Sequence, residues 1–161
     1  MRDDVHLREV VEADLEVFFQ QEQDPEALRR SRFAPRERGA FMAHWTTRVL
    51  GDPAVFVRTI AVDGEPAGNI VAWWEQQRRF LGYWLGRRHW GRGIGSEALR
   101  LFLRLERTRP IYADPVAGNV ASVRLVEKHG FEPVETARHG SDEHIVLALG
   151  ARTASAQQLE E

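Results

Sequence analysis

The stretch that decides the fold is RRHWGRGIGSEAL, residues 87–99, in which three glycines fall within five consecutive positions. The aromatic-rich segment before it, RRFLGYWLG, predicts a strand, and the apolar residues after it recur at helical spacing. A helix whose first turn contains Gly91, Gly93 and Gly95 exposes its backbone N–H groups, because no Cβ shields them. The stretch therefore predicts a strand-to-helix turn that binds an anion.

Charge around the turn favours a phosphate or pyrophosphate, since Arg87, Arg88 and Arg92 add to the positive end of the helix dipole. A dinucleotide fingerprint would read Gly-x-Gly-x-x-Gly after the first strand of a βαβ unit, whereas this stretch reads Gly-x-Gly-x-Gly after a hairpin. The segment contains no lysine, which excludes a P-loop. A tight turn with solvated arginines is the remaining alternative.

Composition indicates one globular domain. The chain has 161 residues, of which 43% are hydrophobic and 29% charged. We expect one domain over residues 1–150 and a disordered tail over residues 151–161, whose residues are small and polar. The net charge of -2 argues against nucleic acid or an anionic membrane as partner. Oligomeric state stays open, with a homodimer as one alternative.

Cysteine usage and hydropathy bear on the compartment. The sequence contains no cysteine, which excludes disulfides, thiolate nucleophiles and cysteine-bound metals. It shows neither a signal-peptide pattern at its beginning nor a stretch of about 20 apolar residues. We expect a cytoplasmic protein.

Helices are predicted for the first third of the chain. VVEADLEVFFQQ has the pattern of an amphipathic helix, and Asp24-Pro25 and Ala34-Pro35 are typical of helix starts. Helical patterning then runs from Phe41 to Val49. AVFVRTIAV and PAGNIVAWWE follow as two strands, and Asp63-Gly64 between them predicts a hairpin turn.

The last third alternates between strands and one helix. PIYADPV predicts a short strand, and NVASVRLVEKHGF predicts a helix with Asn119 as N-cap and Gly130 just past its end. EPVETARHG and DEHIVLAL predict two closing strands. The predicted fold class is mixed α/β.

Two motifs resemble the GNAT superfamily of N-acetyltransferases. Arg88-x-x-Gly91-x-Gly93, followed by Ile94 and Gly95, resembles the Arg/Gln-x-x-Gly-x-Gly/Ala signature, and NVASVRLVEKHGF is similar to a helix of the ribosomal-protein alanine N-acetyltransferase branch. The likeness covers residues 5–149. It implies a mostly antiparallel sheet with a splayed strand pair, flanked by helices, and acetyl-CoA as cosubstrate without a metal.

The resemblance also implies the groups that bind the cofactor. They are Trp84, Leu85, Gly86, Arg87, Arg88, Gly91, Arg92, Gly93, Ile94, Gly95 and Ser96 around the glycine turn, with Asn119 and Ser122 at the next helix start. An open strand edge accepts the amides of a pantetheine arm as it would an added strand. For Asn119, a helix cap alone is the alternative role.

Catalytic groups are assigned on the same basis. A backbone N–H of Trp84 or Leu85 is expected to polarise the thioester carbonyl. Many relatives carry a tyrosine seven residues after the matched asparagine, where this chain has Val126. We therefore expect Ser122 to donate to or orient the sulfur, with helix-start hydrogen bonding as the alternative. Glu75 is the candidate base, and an exposed strand-end carboxylate is its alternative.

The predicted function is transfer of an acetyl group from acetyl-CoA directly to a primary amine of a small molecule, an antibiotic or a protein N-terminus. A cluster of acids in the first helices favours a cationic acceptor; it comprises Glu12, Glu16, Glu22 and Asp24. The alternative is a non-catalytic acyl-CoA-binding regulatory module, for which Val126 is the best argument. An oxidoreductase is a more distant alternative.

Three further groups of residues carry weaker signals. His139, Asp142 and His144 are predicted to lie in a surface hairpin and not to bind a metal, because their spacing matches no ligand pattern. Four tryptophans are predicted to form core and cleft wall and not a base-stacking platform, namely Trp73, Trp74, Trp84 and Trp90. A third group, Arg29, Arg30 and Arg32, is predicted to be a solvated face.

Overall fold

The computed structural model describes residues 4–150 around one seven-stranded sheet with strand order β1-β2-β3-β4-β5-β7-β6. The strands are β1 (Val5–Arg8), β2 (Phe56–Val62), β3 (Glu65–Glu75), β4 (Arg78–Leu85), β5 (Ile111–Ala113), β6 (Glu132–His139) and β7 (Asp142–Leu149). Neighbouring strands are antiparallel except β4 and β5, which are parallel. The predicted mixed, mostly antiparallel sheet is confirmed, while the predicted tail lies outside the described residues.

Five α-helices flank the sheet in the described part of the chain. They are α1 (Glu12–Glu22), α2 (Pro25–Ser31), α3 (Arg38–His44), which continues as a π-helical turn (Trp45–Val49), α4 (Ile94–Leu105) and α5 (Val120–Lys128). Asp24 caps α2 by accepting from the backbone N of Ala27. Over residues 4–150, none of the helices combines the length and the apolar character that a bilayer crossing requires.

Two details differ from the sequence-based expectation. The third helix begins at Arg38 and not at Pro35, because the Glu37 side chain accepts from the backbone N of Ala40 at 3.0 Å and caps it. The strand β1 was not predicted, since its four residues are too few for an alternating pattern to stand out. It is held by antiparallel pairing with β2.

Successive β-strand residues point to opposite faces of the sheet, and both faces are covered. On one face, Ile60 and Val62 of β2 pack with α4 and α5 residues in the larger core cluster. On the other face, Val57 packs with residues of α1, α3 and the π-helical turn. The predicted hairpin turn at Asp63-Gly64 joins β2 to β3, with both residues in the left-handed region at φ 51° and 86°.

The sheet opens between β4 and β5. These strands pair at only two positions, Arg79↔Ile111 and Phe80↔Tyr112. Beyond them β4 continues to Leu85, whereas β5 ends at Ala113. The predicted splayed strand pair is thus confirmed, and the opening positions the candidate site.

Candidate active site

A cavity of about 570 Å³ occupies the opening, a size typical of ligand sites. Its walls come from β4, the glycine turn, α2 and the starts of α4 and α5. Of the predicted cofactor-binding residues, the lining includes Trp84, Leu85, Gly91, Gly93, Ile94, Gly95, Ser96, Asn119 and Ser122. Residues predicted from two separate motifs therefore meet at one cavity.

The glycine turn presents backbone N–H groups to this cavity. Gly91 and Gly93 have φ of 72° and 77°, a region that side chains rarely adopt, and a Cβ on either would meet nothing within 4 Å. Gly93 is the N-cap of α4, and its carbonyl accepts the first helical bond from the N of Glu97 at 3.1 Å. The N–H groups of α4's first turn thus precede the helical hydrogen-bond ladder, as an anion site requires.

Four predicted cofactor ligands lie outside the lining found in the described chain. Arg87 forms an ion pair with Asp24 at 2.9 Å, and Arg88 forms one with Glu65 at 3.2 Å. Arg92 donates to the Arg88 carbonyl at 3.4 Å. Gly86 packs closely, since a Cβ there would lie 2.9 Å from a side-chain nitrogen of Gln21. Their contact with a cofactor stays a prediction.

Positive charge reaches the cavity from α2 instead. The guanidinium carbon of Arg30 lies 4.5 Å from the ring centroid of Trp90, and both residues line the cavity. Arg29 pairs with Glu26, and Arg32 pairs with Asp142 at 3.1 Å. Arg30 is exposed, as predicted, and pairs with Glu26 at 3.2 Å, but it also stacks on Trp90, which keeps this cation at the cavity wall. Trp90 forms part of the cleft wall, as predicted, whereas Trp74 is exposed and lies outside both linings in the described chain, so the prediction is wrong for Trp74.

A smaller cavity of about 170 Å³ adjoins the first, and its wall includes Trp73, Asp114 and Val126. The boundary between the two cavities is formed by the residues that line both, namely Ser31, Tyr83, Trp84, Asn119 and Ser122. A thioester bound in the larger cavity and an amine bound in the smaller one would meet at this boundary.

Tyr83 and Ser122 are hydrogen-bonded at the boundary, with their hydroxyl oxygens 3.1 Å apart. Burial raises the pKa of the Tyr83 phenol more than the bond to Ser122 lowers it, so the phenol is protonated at neutral pH. The sequence analysis missed Tyr83. In the strand pattern it shares a face with Leu81 and Leu85, both core residues, and nothing local sets it apart.

Asn119 is a helix cap and also lines both cavities. Its Oδ1 accepts from the backbone N of Ser122 at 3.4 Å, which confirms the predicted N-cap of α5. The capping and lining positions are compatible, because the capping bond uses the oxygen and leaves the amide NH₂ group for donation. Val126, in the position of the family's tyrosine, is a buried residue in the wall of the smaller cavity.

The predicted base lies apart from this boundary. Glu75 ends β3 opposite Arg78, is exposed, and is outside the lining of both cavities in the described chain. Asp114, which the sequence analysis did not select, supplies the carboxylate of the smaller cavity. Burial raises the pKa of the Asp114 carboxyl, and this effect exceeds the lowering by the nearby His144 and His139. A catalytic role for Glu75 stays a prediction.

Three of the four acids expected to attract a cationic acceptor form ion pairs elsewhere, and the fourth, Glu12, is exposed. Glu16 pairs with Arg38, Glu22 pairs with Arg36, and Asp24 pairs with Arg87. These ion pairs lie outside the lining of the two cavities. In the described chain the acid that lines the smaller cavity is Asp114, from the end of β5.

The RHGSDEH segment forms the predicted hairpin between β6 and β7. Its histidines, however, meet an acid from another element: Asp114, His139 and His144 offer ligand atoms that all lie within 4.8 Å of one another. Asp142, which the sequence analysis grouped with them, instead pairs with Arg32.

Solved structures share this fold. The aminoglycoside acetyltransferase AAC(6')-Ib in complex with coenzyme A is 20% identical, with a TM-score of 0.78 over 96% of this chain and 99% of that one. The same protein with paromomycin and acetyl-CoA gives 21% identity and a TM-score of 0.79 over 95% and 97%. RimL, a ribosomal L7/L12 alpha-N-protein acetyltransferase in complex with coenzyme A, is 18% identical, with a TM-score of 0.75 over 90% of this chain and 93% of that one. A comparison with curated protein sequences gives no match.

A family model described as an acetyltransferase (GNAT) domain matches residues 4–132. The chain belongs to this GNAT acetyltransferase family and is an acetyl-CoA-dependent acyltransferase.

Proposed function

We propose that the chain transfers an acetyl group from acetyl-CoA directly to the primary amine of a cationic acceptor. The observation that carries this proposal is the hydrogen-bonded pair of Tyr83 and Ser122 between two adjoining cavities. The larger cavity would hold the cofactor and the smaller one the acceptor amine. The proton donors would then stand where the thioester and the amine react.

The cofactor's diphosphate would bind the N–H groups of residues 91–96, where the helix dipole adds positive charge. Arg30, which stacks on Trp90 next to Gly91, would contribute a cation from α2. The pantetheine arm would run along the open edge of β4 at Trp84 and Leu85, as an added strand does. The amide NH₂ of Asn119 would donate to it from the start of α5.

In the reaction the neutral amine attacks the thioester carbonyl, the C–N bond forms and the C–S bond breaks. A backbone N–H of Trp84 or Leu85 would stabilise the oxyanion. Ser122 would donate to the departing thiolate while its oxygen accepts from the Tyr83 hydroxyl. Tyr83 would thereby supply from β4 the phenol that Val126 does not supply from α5. The proton that the amine loses would leave to water, and water would return a proton to the Tyr83–Ser122 pair, which restores the enzyme.

The acceptor is proposed to carry positive charge because Asp114 places a carboxylate in the smaller cavity. Trp73 forms another wall and offers an aromatic surface to a cation. A cavity of about 170 Å³ accommodates an aminoalkyl group or the first residue of a peptide. Aminoglycosides and protein N-termini both present such groups.

The test is thiol release from acetyl-CoA in the presence of aminoglycosides, peptides with free N-termini and simple polyamines. We expect at least one cationic amine to accelerate release over the rate with cofactor alone. If coenzyme A binds and no amine accelerates release, the chain is the non-catalytic regulatory module. If coenzyme A does not bind at millimolar concentration, both assignments are overturned.

A further inference from the structure

Two histidines and one aspartate from separate elements converge beside the smaller cavity. In the register of the β6–β7 hairpin, His139 lies opposite Asp142 and His144 lies opposite Ala137. This register places the two histidines diagonally on one face of the hairpin. Asp114 follows β5, whose chain stays next to β7 through the bridge between Val116 and His144. The ligand atoms of Asp114, His139 and His144 all lie within 4.8 Å of one another.

The hydrogen bonding of His144 fixes which of its nitrogens can bind a metal. Its Nδ1 lies 2.7 Å from the backbone carbonyl oxygen of Asp114. A carbonyl oxygen only accepts, so Nδ1 carries the proton and, in the neutral ring, Nε2 carries the lone pair. Metal-binding histidines are oriented in the same way, by donation from the second nitrogen to a carbonyl or carboxylate.

The other two groups complete a three-ligand arrangement. His139 Nε2 lies 3.9 Å from Asp114 Oδ2, and the rings of His139 and His144 meet edge to face with centroids 4.4 Å apart. His139 is exposed, so it can rotate toward its partners without disturbing the core. Zn²⁺ bonds of about 2.0–2.2 Å separate tetrahedral ligands by about 3.4 Å, so the three groups, whose ligand atoms lie within 4.8 Å of one another, must move closer together to bind the ion.

We propose that Asp114, His139 and His144 bind one Zn²⁺ ion and leave its fourth position to water or substrate. Two imidazoles and one carboxylate suit Zn²⁺, whereas Mg²⁺ and Ca²⁺ prefer oxygen ligands throughout. This site departs from the expectation that the protein binds no metal, and acetyl transfer does not require it.

Metal binding would bear on the acceptor because Asp114 also lines the smaller cavity. A carboxylate that coordinates Zn²⁺ offers less charge to a cationic amine, so Zn²⁺ and the acceptor would oppose each other's binding. This consequence rests on the proposed function, whereas the metal site itself does not.

The experiment is calorimetric titration of the untagged, full-length chain with Zn²⁺, together with visible absorption after Co²⁺ addition. We expect one ion per chain and the absorption bands of tetrahedral Co²⁺. His139→Ala and His144→Ala should each weaken Zn²⁺ binding at least about tenfold. The matched control is His6→Ala, because His6 lies 3.8 Å from Asp4 but belongs to no three-ligand cluster within residues 4–150.

Melting temperatures without metal verify that the variants are folded, and His139→Gln replaces His139→Ala if the latter is not. The proposal is overturned if the wild type binds Zn²⁺ no more tightly than the two histidine variants, or if His6→Ala weakens binding equally. Neither outcome depends on acetyl transfer, so loss of the metal site and loss of the proposed enzyme function are distinguishable.

Discussion

The hydroxyl of Tyr83, on β4, lies 3.1 Å from the hydroxyl of Ser122, in the first turn of α5, across the opening of the sheet. The pair joins the two walls at the boundary of both cavities. Tyr83→Phe and Ser122→Ala should each lower kcat about 10- to 100-fold, because Ser122 would donate to the thiolate and Tyr83 would donate to Ser122. Steady-state thiol release with a reactive amine measures this.

The affinity for coenzyme A should change little in both variants, and the double variant should lose little beyond the larger single effect, since the two groups act in series. Tyr112→Phe is the matched control, because Tyr112 is the other tyrosine of the chain and lies outside the lining of both cavities in the described residues. An unchanged kcat in Tyr83→Phe would remove the phenol from the mechanism.

Replacing Gly93 tests the anion site through the backbone. Gly93→Ala should lower the unfolding free energy by about 1 kcal/mol, because φ is 77° there. It should also weaken coenzyme A binding about tenfold or more, because the Cβ would project toward a ligand where the protein itself offers no contact within 4 Å. Gly140→Ala is the control, with φ of 64° and similarly open surroundings in the β6–β7 turn. Equal loss of affinity in both variants contradicts the assignment.

The cation on α2 should contribute to cofactor binding. Arg30→Gln is expected to weaken coenzyme A binding about 3- to 10-fold and to make the affinity less sensitive to salt, because a screened charge pair is lost. Arg29→Gln is the matched control: both arginines pair with Glu26, but in the described chain Arg30 stacks on Trp90 in the cavity lining and Arg29 does not, so Arg29→Gln should leave both quantities near the wild-type values. Calorimetry at two ionic strengths separates the variants. If the affinity of Arg30→Gln for coenzyme A depends on salt as that of the wild type does, Arg30 is excluded from the phosphate site.

The carboxylate of the smaller cavity should determine affinity for the acceptor. Asp114→Asn is expected to raise KM for a cationic amine at least about tenfold, with little change in acetyl-CoA affinity. Glu75→Gln is the comparison variant, because Glu75 is exposed outside both linings in the described chain; its charge helps to raise the pKa of Asp114, so removing it should leave the Asp114 carboxylate ionised. A selective loss of kcat in Glu75→Gln would instead support Glu75 as the base.

The buried pair of Arg79 and Glu106 should make stability depend on pH. The Arg79 Nη2 lies 2.7 Å from Glu106 Oε1, and both side chains are buried. Burial acts to raise the pKa of the Glu106 carboxyl, but hydrogen bonds from Arg79 and Thr108 hold it below its ordinary value. The pair therefore stabilises the fold above the ordinary glutamate pKa, and this contribution is lost as pH falls through the lower, folded-state pKa.

Glu106→Gln should cost about 3 kcal/mol at pH 7, because Arg79 is left as a buried charge without a counterion. Its unfolding free energy should fall less steeply than that of the wild type on acidification. Glu135→Gln breaks the exposed pair with Arg78 and should cost less than about 1 kcal/mol. Denaturant titrations at pH 7 and in the acid range provide the comparison, and parallel slopes for the wild type and Glu106→Gln would refute it.

Local chemistry explains what could be predicted from the sequence. The glycine turn, the Asp63-Gly64 hairpin and the Asn119 cap each depend on residues a few positions apart, and each lies where the sequence indicates. Charge pairing is not local. Arg87 and Arg88 follow the strand as a phosphate-binding segment would, but they pair with Asp24 and Glu65, which come from distant elements.

The candidate site was predicted only where it follows a motif. Tyr83 has the strand position of a core residue, and its role depends on Ser122, 39 residues further on. Asp114, His139 and His144 lie near one another because β5 and the β6–β7 hairpin are adjacent in the sheet, which no spacing in the sequence encodes. Such groups depend on topology, so only the folded chain brings them together.

Because β4 and β5 pair at only two positions, the two halves of the sheet meet through a short seam. A pantetheine arm hydrogen-bonded along β4 would occupy the gap between β4 and β5. When the cofactor leaves, the β4 backbone amides that it had bonded would be exposed to water again. Cofactor should therefore slow deuterium uptake at residues 81–85 more than at the rest of β4. The hydrogen bonding of the sheet would therefore be complete only while the acyl donor is bound, and the open edge of β4 would return with every turnover.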